Sequence, residues 1–171
     1  MSKDYSICLG TAGWGMWHSP NAGESWTRHR RPFPLNTRIQ ALKVHPTDPR
    51  TIYAGGDTGF YVTHDSGANW QRVGAQGDLP TIWSLAVDPS NPDTVFAGTR
   101  PSGVFRTRDA GQTWTKLDVP IAKECMIGET FVTAIAVDPD DSQTIWVGVE
   151  IDGVYRSRDG GETWTHLKDG M

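Results

Sequence analysis

Cysteine is almost missing from this chain: Cys8 and Cys125 are the only two in 171 residues. They lie far apart, Cys8 in an apolar strand-like segment and Cys125 in a loop, so a disulfide scaffold is excluded. An excess of one charge is lacking too. Sixteen Lys and Arg stand against 20 Asp and Glu, with both signs interspersed and a net charge of −4. That balance argues against a nucleic-acid face and against a polybasic membrane arm. No apolar run approaches the ~20 residues of a membrane span. The opening segment MSKDYSICLG has no long apolar core, and the expected address is cytoplasmic. No window of about 11 residues shows helical periodicity. No CxxC, HExxH, Walker or dinucleotide-binding spacing occurs, so neither metal nor cofactor is expected.

Tryptophan, glycine and proline are plentiful instead, at 8, 19 and 11 residues. Four tryptophans close a recurring box: Ser19, Asn21, Gly23, Trp26; Thr63, Asp65, Gly67, Trp70; Thr107, Asp109, Gly111, Trp114; and Ser157, Asp159, Gly161, Trp164. The boxes start at 19, 63, 107 and 157, spacings of 44, 44 and 50 residues. Self-similarity at such a period marks a repeat architecture. Each unit holds four short β-branched or aromatic segments separated by turn residues, which read as antiparallel strands A to D. Four such strands per repeat predict an all-β chain of about four β-propeller blades, near 1–35, 36–79, 80–123 and 124–171. Only three A segments can be found, at 39–46, 82–89 and 132–139, so the first blade is predicted to lack its inner strand.

The box Ser/Thr-x-Asp-x-Gly-x-x-Trp resembles the Asp-box, or BNR, repeat, and the chain is similar to bacterial BNR-repeat proteins commonly labelled glycosyl hydrolases. The same repeat occurs in sialidases, xyloglucanases, sortilin-type receptor domains and photosystem II assembly factors. The resemblance covers nearly the whole chain and implies that the boxes lie on the outer rim, away from any active site. Box chemistry agrees: the Asp side chain accepts backbone N–H groups, Gly supplies positive φ, and Trp buries its ring. Asn21 departs from the pattern but still offers a side-chain oxygen.

Function is expected on the opposite face, where the B–C and D–A connections open. Arg28, Arg30 and Arg31 are candidates for an anionic ligand. Asp57, Glu150 and Asp152, with Glu129, are candidates to converge as the paired carboxylates that glycoside cleavage needs. Arg100 completes the candidate ligand set. The long D–A segment at 119–128 suggests a lid or a subunit contact. Cys125 as a nucleophile lacks a companion histidine, because the five histidines fall in different blades. A sialidase would need an Arg-Ile-Pro segment before the first box, whereas Thr37–Arg38–Ile39–Gln40 follows it.

Two function classes follow. One is a non-catalytic scaffold that binds a ligand or assembles with partners, and it is the reading preferred from sequence. The alternative is a glycoside-hydrolase-like enzyme acting on a polysaccharide or a sialic-acid-like sugar. A receptor or photosystem-assembly module is a third. The missing inner strand points to self-association or to a complementary half-propeller, with a carbohydrate as a further possible partner.

Overall fold

The computed structural model describes residues 5–75, 77–122, 124–126 and 128–168. The first sheet holds β1 (Ile7–Thr11), β2 (Gly15–Ser19) and β3 (Thr27–His29). The second holds β4 (Ile39–Val44), β5 (Ile52–Gly56), β6 (Gly59–Thr63) and β7 (Gln71–Val73). The third holds β8 (Thr81–Val87), β9 (Val95–Arg100), β10 (Gly103–Thr107) and β11 (Thr115–Leu117). A small hairpin, β12 (Glu124–Cys125) with β13 (Gly128–Glu129), precedes the last sheet of β14 (Val132–Val137), β15 (Ile145–Val149), β16 (Gly153–Ser157) and β17 (Thr165–Leu167). Strands pair antiparallel with their chain neighbours in every sheet. The result is a partial β-propeller, and no helix occurs among the described residues.

One expectation needs correction. Cys125 lies in a two-residue strand, not a loop, because the extra residues between β11 and β14 fold back on themselves. Each outer strand begins one residue after the box Trp. The Trp belongs to the turn, where its indole N–H donates to the box Gly carbonyl, as Trp70 Nε1 does to Gly67 O at 3.1 Å.

The core lies between blades. One cluster joins Met16 to Ile39, Ile52, Ala54, Tyr61 and Trp70. A second joins Tyr53 and Phe60 to Ile82, Leu85, Val95 and Ala97. A third joins Phe96 and Val104 to Val132, Ile135, Ile145 and Val147. At each junction a second-strand glycine faces a branched residue of the next inner strand. A Cβ on Gly10, Gly55 or Gly98 would stand 2.6, 2.4 or 2.4 Å from Ile39, Ile82 or Val132. The inner strands β4, β8 and β14 each bulge directly after that branched residue.

The two end blades differ from the middle ones. Leu9 of β1 is 48% exposed, whereas Ala54 and Ala97 at the same strand position are fully buried. Gly148 of β15 is the fourth socket glycine, yet a Cβ there would meet nothing closer than 3.5 Å, and only atoms of its own blade. Gly55→Ala is therefore expected to lower stability by ~1–3 kcal/mol through overpacking. Gly148→Ala is expected to be neutral or to stabilise by ~0.4–1 kcal/mol by restricting the unfolded chain. Chemical denaturation of both variants checks the contrast.

Candidate functional site

The boxes form a closed hydrogen-bond system. In the second, the Thr63 hydroxyl donates to Asp65 Oδ1 at 2.7 Å and accepts the Gly67 N–H at 3.1 Å. Asp65 also accepts the Asn69 backbone N–H at 2.8 Å. Boxes three and four repeat this with Thr107 and Asp109 and with Ser157 and Asp159. In box one, Asn21 Oδ1 accepts the Ser25 N–H at 2.9 Å. Hydrogen bonds from Thr107 and Thr113 hold Asp109 down at about 2, and those from Thr163 and Ser157 do the same for Asp159, at about 2. Gly67 and Gly111 carry φ of +94° and +96°, and a Cβ on either would strike Cys8 or Phe60 of the preceding blade. These acids are engaged in the hydrogen bonds of their own turns.

The other face is formed by the β1–β2, β5–β6, β9–β10 and β15–β16 turns with the segments that enter each new blade. Arg28 lies there with its guanidinium 4.8 Å from the Trp14 ring centre and its Nε donating to Trp14 O at 2.9 Å. Arg30 and Arg31 are exposed. Arg100 lies 5.6 Å over the Phe131 ring, which in turn packs 4.3 Å from Trp83. Trp83 is the bulge residue of β8, as Gln40 is of β4. Trp83 Nε1 and Gln40 Oε1 are both buried with no hydrogen-bond partner.

The carboxylates do not gather as expected. Asp152 Oδ2 accepts the Ala122 N–H at 2.8 Å and the Tyr155 hydroxyl at 2.6 Å. It thereby fastens the long entry segment to the β15–β16 turn, and burial together with this carboxylate raises the Tyr155 phenol. Glu150 contributes a backbone N–H to Phe131 O at 3.0 Å, and Glu129 is exposed. The first part of the expected lid, from Val119 to Ala122, is fastened down. Val119 and Ile121 pack against the core between blades three and four, and the Thr130 hydroxyl donates to Ala122 O at 2.6 Å. Lys123 and Ile127 of that segment lie outside the described residues.

Asp57 alone opens on a sizeable cavity, of about 470 Å³. Pro32, Phe60, Tyr61 and Trp114 supply apolar wall, and Arg72 and Asp78 supply charge beside Asp57. The Arg38 backbone N–H donates to Asp57 Oδ1 at 3.0 Å, and Asp78 Oδ2 accepts the Ala75 N–H at 2.8 Å. Arg72 Nη2 donates weakly to Ala75 O at 3.4 Å, while its Nε is buried without a partner. Sequence reasoning missed Arg72, Asp78 and Trp114. Each belongs to a different segment, and only the packing of blades two and three brings them together.

A family model described as sortilin, neurotensin receptor 3, matches residues 58–171. The chain belongs to this Sortilin-Vps10 family. Among curated relatives it is 26% identical over 115 residues to a xyloglucanase of Hypocrea jecorina (strain QM6a), covering 66% of this chain and 14% of that protein. It is 32% identical over 108 residues to a probable oligoxyloglucan-reducing end-specific xyloglucanase of Neosartorya fischeri, covering 54% and 13%. The chain thus spans about one seventh of the length of these relatives. Its fold matches the crystal structure of an ancestral GH74 enzyme with a TM-score of 0.73 at 21% identity, over 98% of this chain and 23% of that one. These matches place the family member among β-propellers.

At the seam between blades one and two, His18 and His29 stand 5.9 Å apart, and the Nε2 atoms of both are buried without partners. Cys8 and Asp65 pack beside them, and burial, then the Asp65 charge, pushes the Cys8 thiol up to about 11. Burial lowers both histidines, more than the Asp65 carboxylate raises them, and the His18 charge lowers His29 further. The neutral rings belong to the folded state. Their contribution is present above the ordinary value of 6.5 and is lost as pH falls below it. The melting temperature is expected to drop between about pH 7.5 and about pH 5.5, and His18→Leu is expected to flatten that slope. Thermal scans across the interval test this.

Proposed function

We propose that the chain is part of a glycoside-hydrolase-like propeller of the Asp-box (BNR) type that takes a neutral polysaccharide in the cavity between the β5–β6 turn, the end of β7 and the box of the next blade. The observation that carries this reading is the Asp57 cavity. It combines aromatic wall, two carboxylates and a guanidinium with an unspent donor. Such a set offers stacking surface to a sugar ring, acceptors for its hydroxyls and one donor for its oxygens. Its charges fit a neutral ligand better than an anion, which Asp57 and Asp78 would repel. The xyloglucanase relatives favour this reading over the non-catalytic scaffold preferred from sequence. Within it, Asp57 and Asp78 are the acid pair, since glycoside cleavage runs on two carboxyl groups flanking the scissile bond.

Incubation with xyloglucan oligosaccharides, with product analysis and calorimetry, tests the proposal. Turnover is expected, falling ~10²–10⁴-fold in Asp57→Asn without a matching loss of thermal stability. Arg72→Met is expected to weaken binding by about tenfold. Binding without turnover would return the chain to the scaffold class, and neither binding nor turnover would contradict the glycan reading altogether.

A further inference from the structure

The overall charge balance conceals a local segregation. Residues 28–38 read Arg-His-Arg-Arg-Pro-Phe-Pro-Leu-Asn-Thr-Arg, with four of the 16 basic residues and none of the 20 acids. This segment runs from β3 to the residue before β4, between two blades that are both described. Arg30, Arg31 and Arg38 are exposed. None of the four arginines forms an ion pair among the described residues. The acid hydrogen-bonded to the segment is Asp57, whose Oδ1 accepts the Arg38 backbone N–H.

Packing gives the segment a fixed shape. Phe33 is buried, with its ring centre 4.5 Å from Tyr61 and 5.9 Å from Trp70. Thr37 is buried too, and its hydroxyl closes a turn on Pro34 O at 2.8 Å. Asn36, with φ of +65°, completes the reversal. Leu35 is left at the tip, 86% exposed between buried Phe33 and Thr37. The Thr37 carbonyl accepts the N–H of Gly13 at 3.2 Å and of Gly15 at 2.9 Å, which fastens the β1–β2 turn alongside. Trp14, held between those glycines, is exposed and carries Arg28 over its ring. The corner therefore presents an aliphatic tip and an indole among four guanidinium groups.

We propose that this corner docks on the surface of an anionic lipid bilayer. Leu35 enters below the headgroups, and the arginines pair with lipid phosphates and carboxylates. The cations attract a polyanion of any kind, but an exposed Leu contributes only where hydrocarbon receives it. An indole suits the boundary between headgroups and acyl chains. The segment gives only Pro32 and Pro34 to the wall of the Asp57 cavity, so substitution can separate this surface from the glycan site. Met126 and Ile151 are also exposed turn tips of this face, but Glu124, Glu129, Glu150 and Asp152 flank them in the chain. Like charge holds that side off an anionic surface, so contact is confined to the Leu35 corner.

Co-sedimentation of the full chain with vesicles tests the proposal. Vesicles with about 30% phosphatidylserine are expected to bind the chain at least about tenfold more tightly than pure phosphatidylcholine. That preference is expected to collapse at about 0.5 M salt. Leu35→Ser, and separately Arg30→Ser with Arg31→Ser, are expected to weaken vesicle binding about tenfold with the melting temperature unchanged. Leu35→Trp is expected to tighten it. Dextran sulfate separates a bilayer from a soluble polyanion, and its binding is expected to be the same for wild type and Leu35→Ser. Equal partition onto both vesicle types, or none onto either, would overturn the proposal. So would vesicle binding indifferent to residue 35, or an equal loss of dextran sulfate binding in Leu35→Ser, because hydrocarbon contact would then have no part in it.

Discussion

Adjacent blades meet where a glycine in one second strand makes room for a branched side chain at the start of the next inner strand. Gly10 with Ile39, Gly55 with Ile82, and Gly98 with Val132 are three instances of one contact. The approach is too close for any Cβ, so it fixes the distance between sheets. The bulge that follows each branched residue is a second consequence, since the strand must turn its pleat once the plug is seated. The box glycines make the corresponding contact further out, with Gly111 against Phe60 and Gly161 against Leu117. Two rows of glycine contacts, one near the axis and one at the rim, hold each blade in place.

The Asp57 cavity depends on this packing. Asp57 comes from the β5–β6 turn, Arg72 from β7, Asp78 from the following segment, and Trp114 from the box of the next blade. The box Trp thus has two roles. Its indole N–H closes its own turn on Gly111 at 3.1 Å, and its ring meets Phe60 edge-on at 5.2 Å to form the wall shared by two blades. The buried polar atoms without partners are spread among the described residues: Arg72 Nε in this cavity, Trp83 Nε1 and Gln40 Oε1 on the inner strands, and His18 Nε2 and His29 Nε2 at the seam beside Asp65. Buried donors and acceptors without partners are costly.

The blades were legible in the sequence because their determinants are local. Strand alternation, the turn chemistry of Asp48 and Asp141, and the box hydrogen bonds all act within a few residues. Asn21 was readable for the same reason, as its oxygen does the work of a carboxylate oxygen. The candidate site was mostly not legible. Asp57 was picked out by its position in a loop, but so was Asp152, which is bound to Tyr155 and Ala122. Both tie a turn to the segment that enters their blade, and position on a face does not tell the carboxylate that also opens on a cavity from the one that does not. Arg72 and Trp114 looked like an ordinary strand residue and a structural box residue, and only the meeting of blades gives them a common cavity. The socket glycines carried a signal at fixed repeat positions, but their partners lie a whole blade away.

The interlocking of blades is tested most directly by a double-mutant cycle on Gly55 and Ile82. Gly55→Ala puts a methyl group where the Ile82 side chain sits, and Ile82→Ala leaves a hole where that methyl would go. If the two share one space, the double variant is more stable than the sum of the single losses predicts, by about 1–3 kcal/mol in chemical denaturation. Additive losses, with no coupling beyond about 0.5 kcal/mol, would contradict the account.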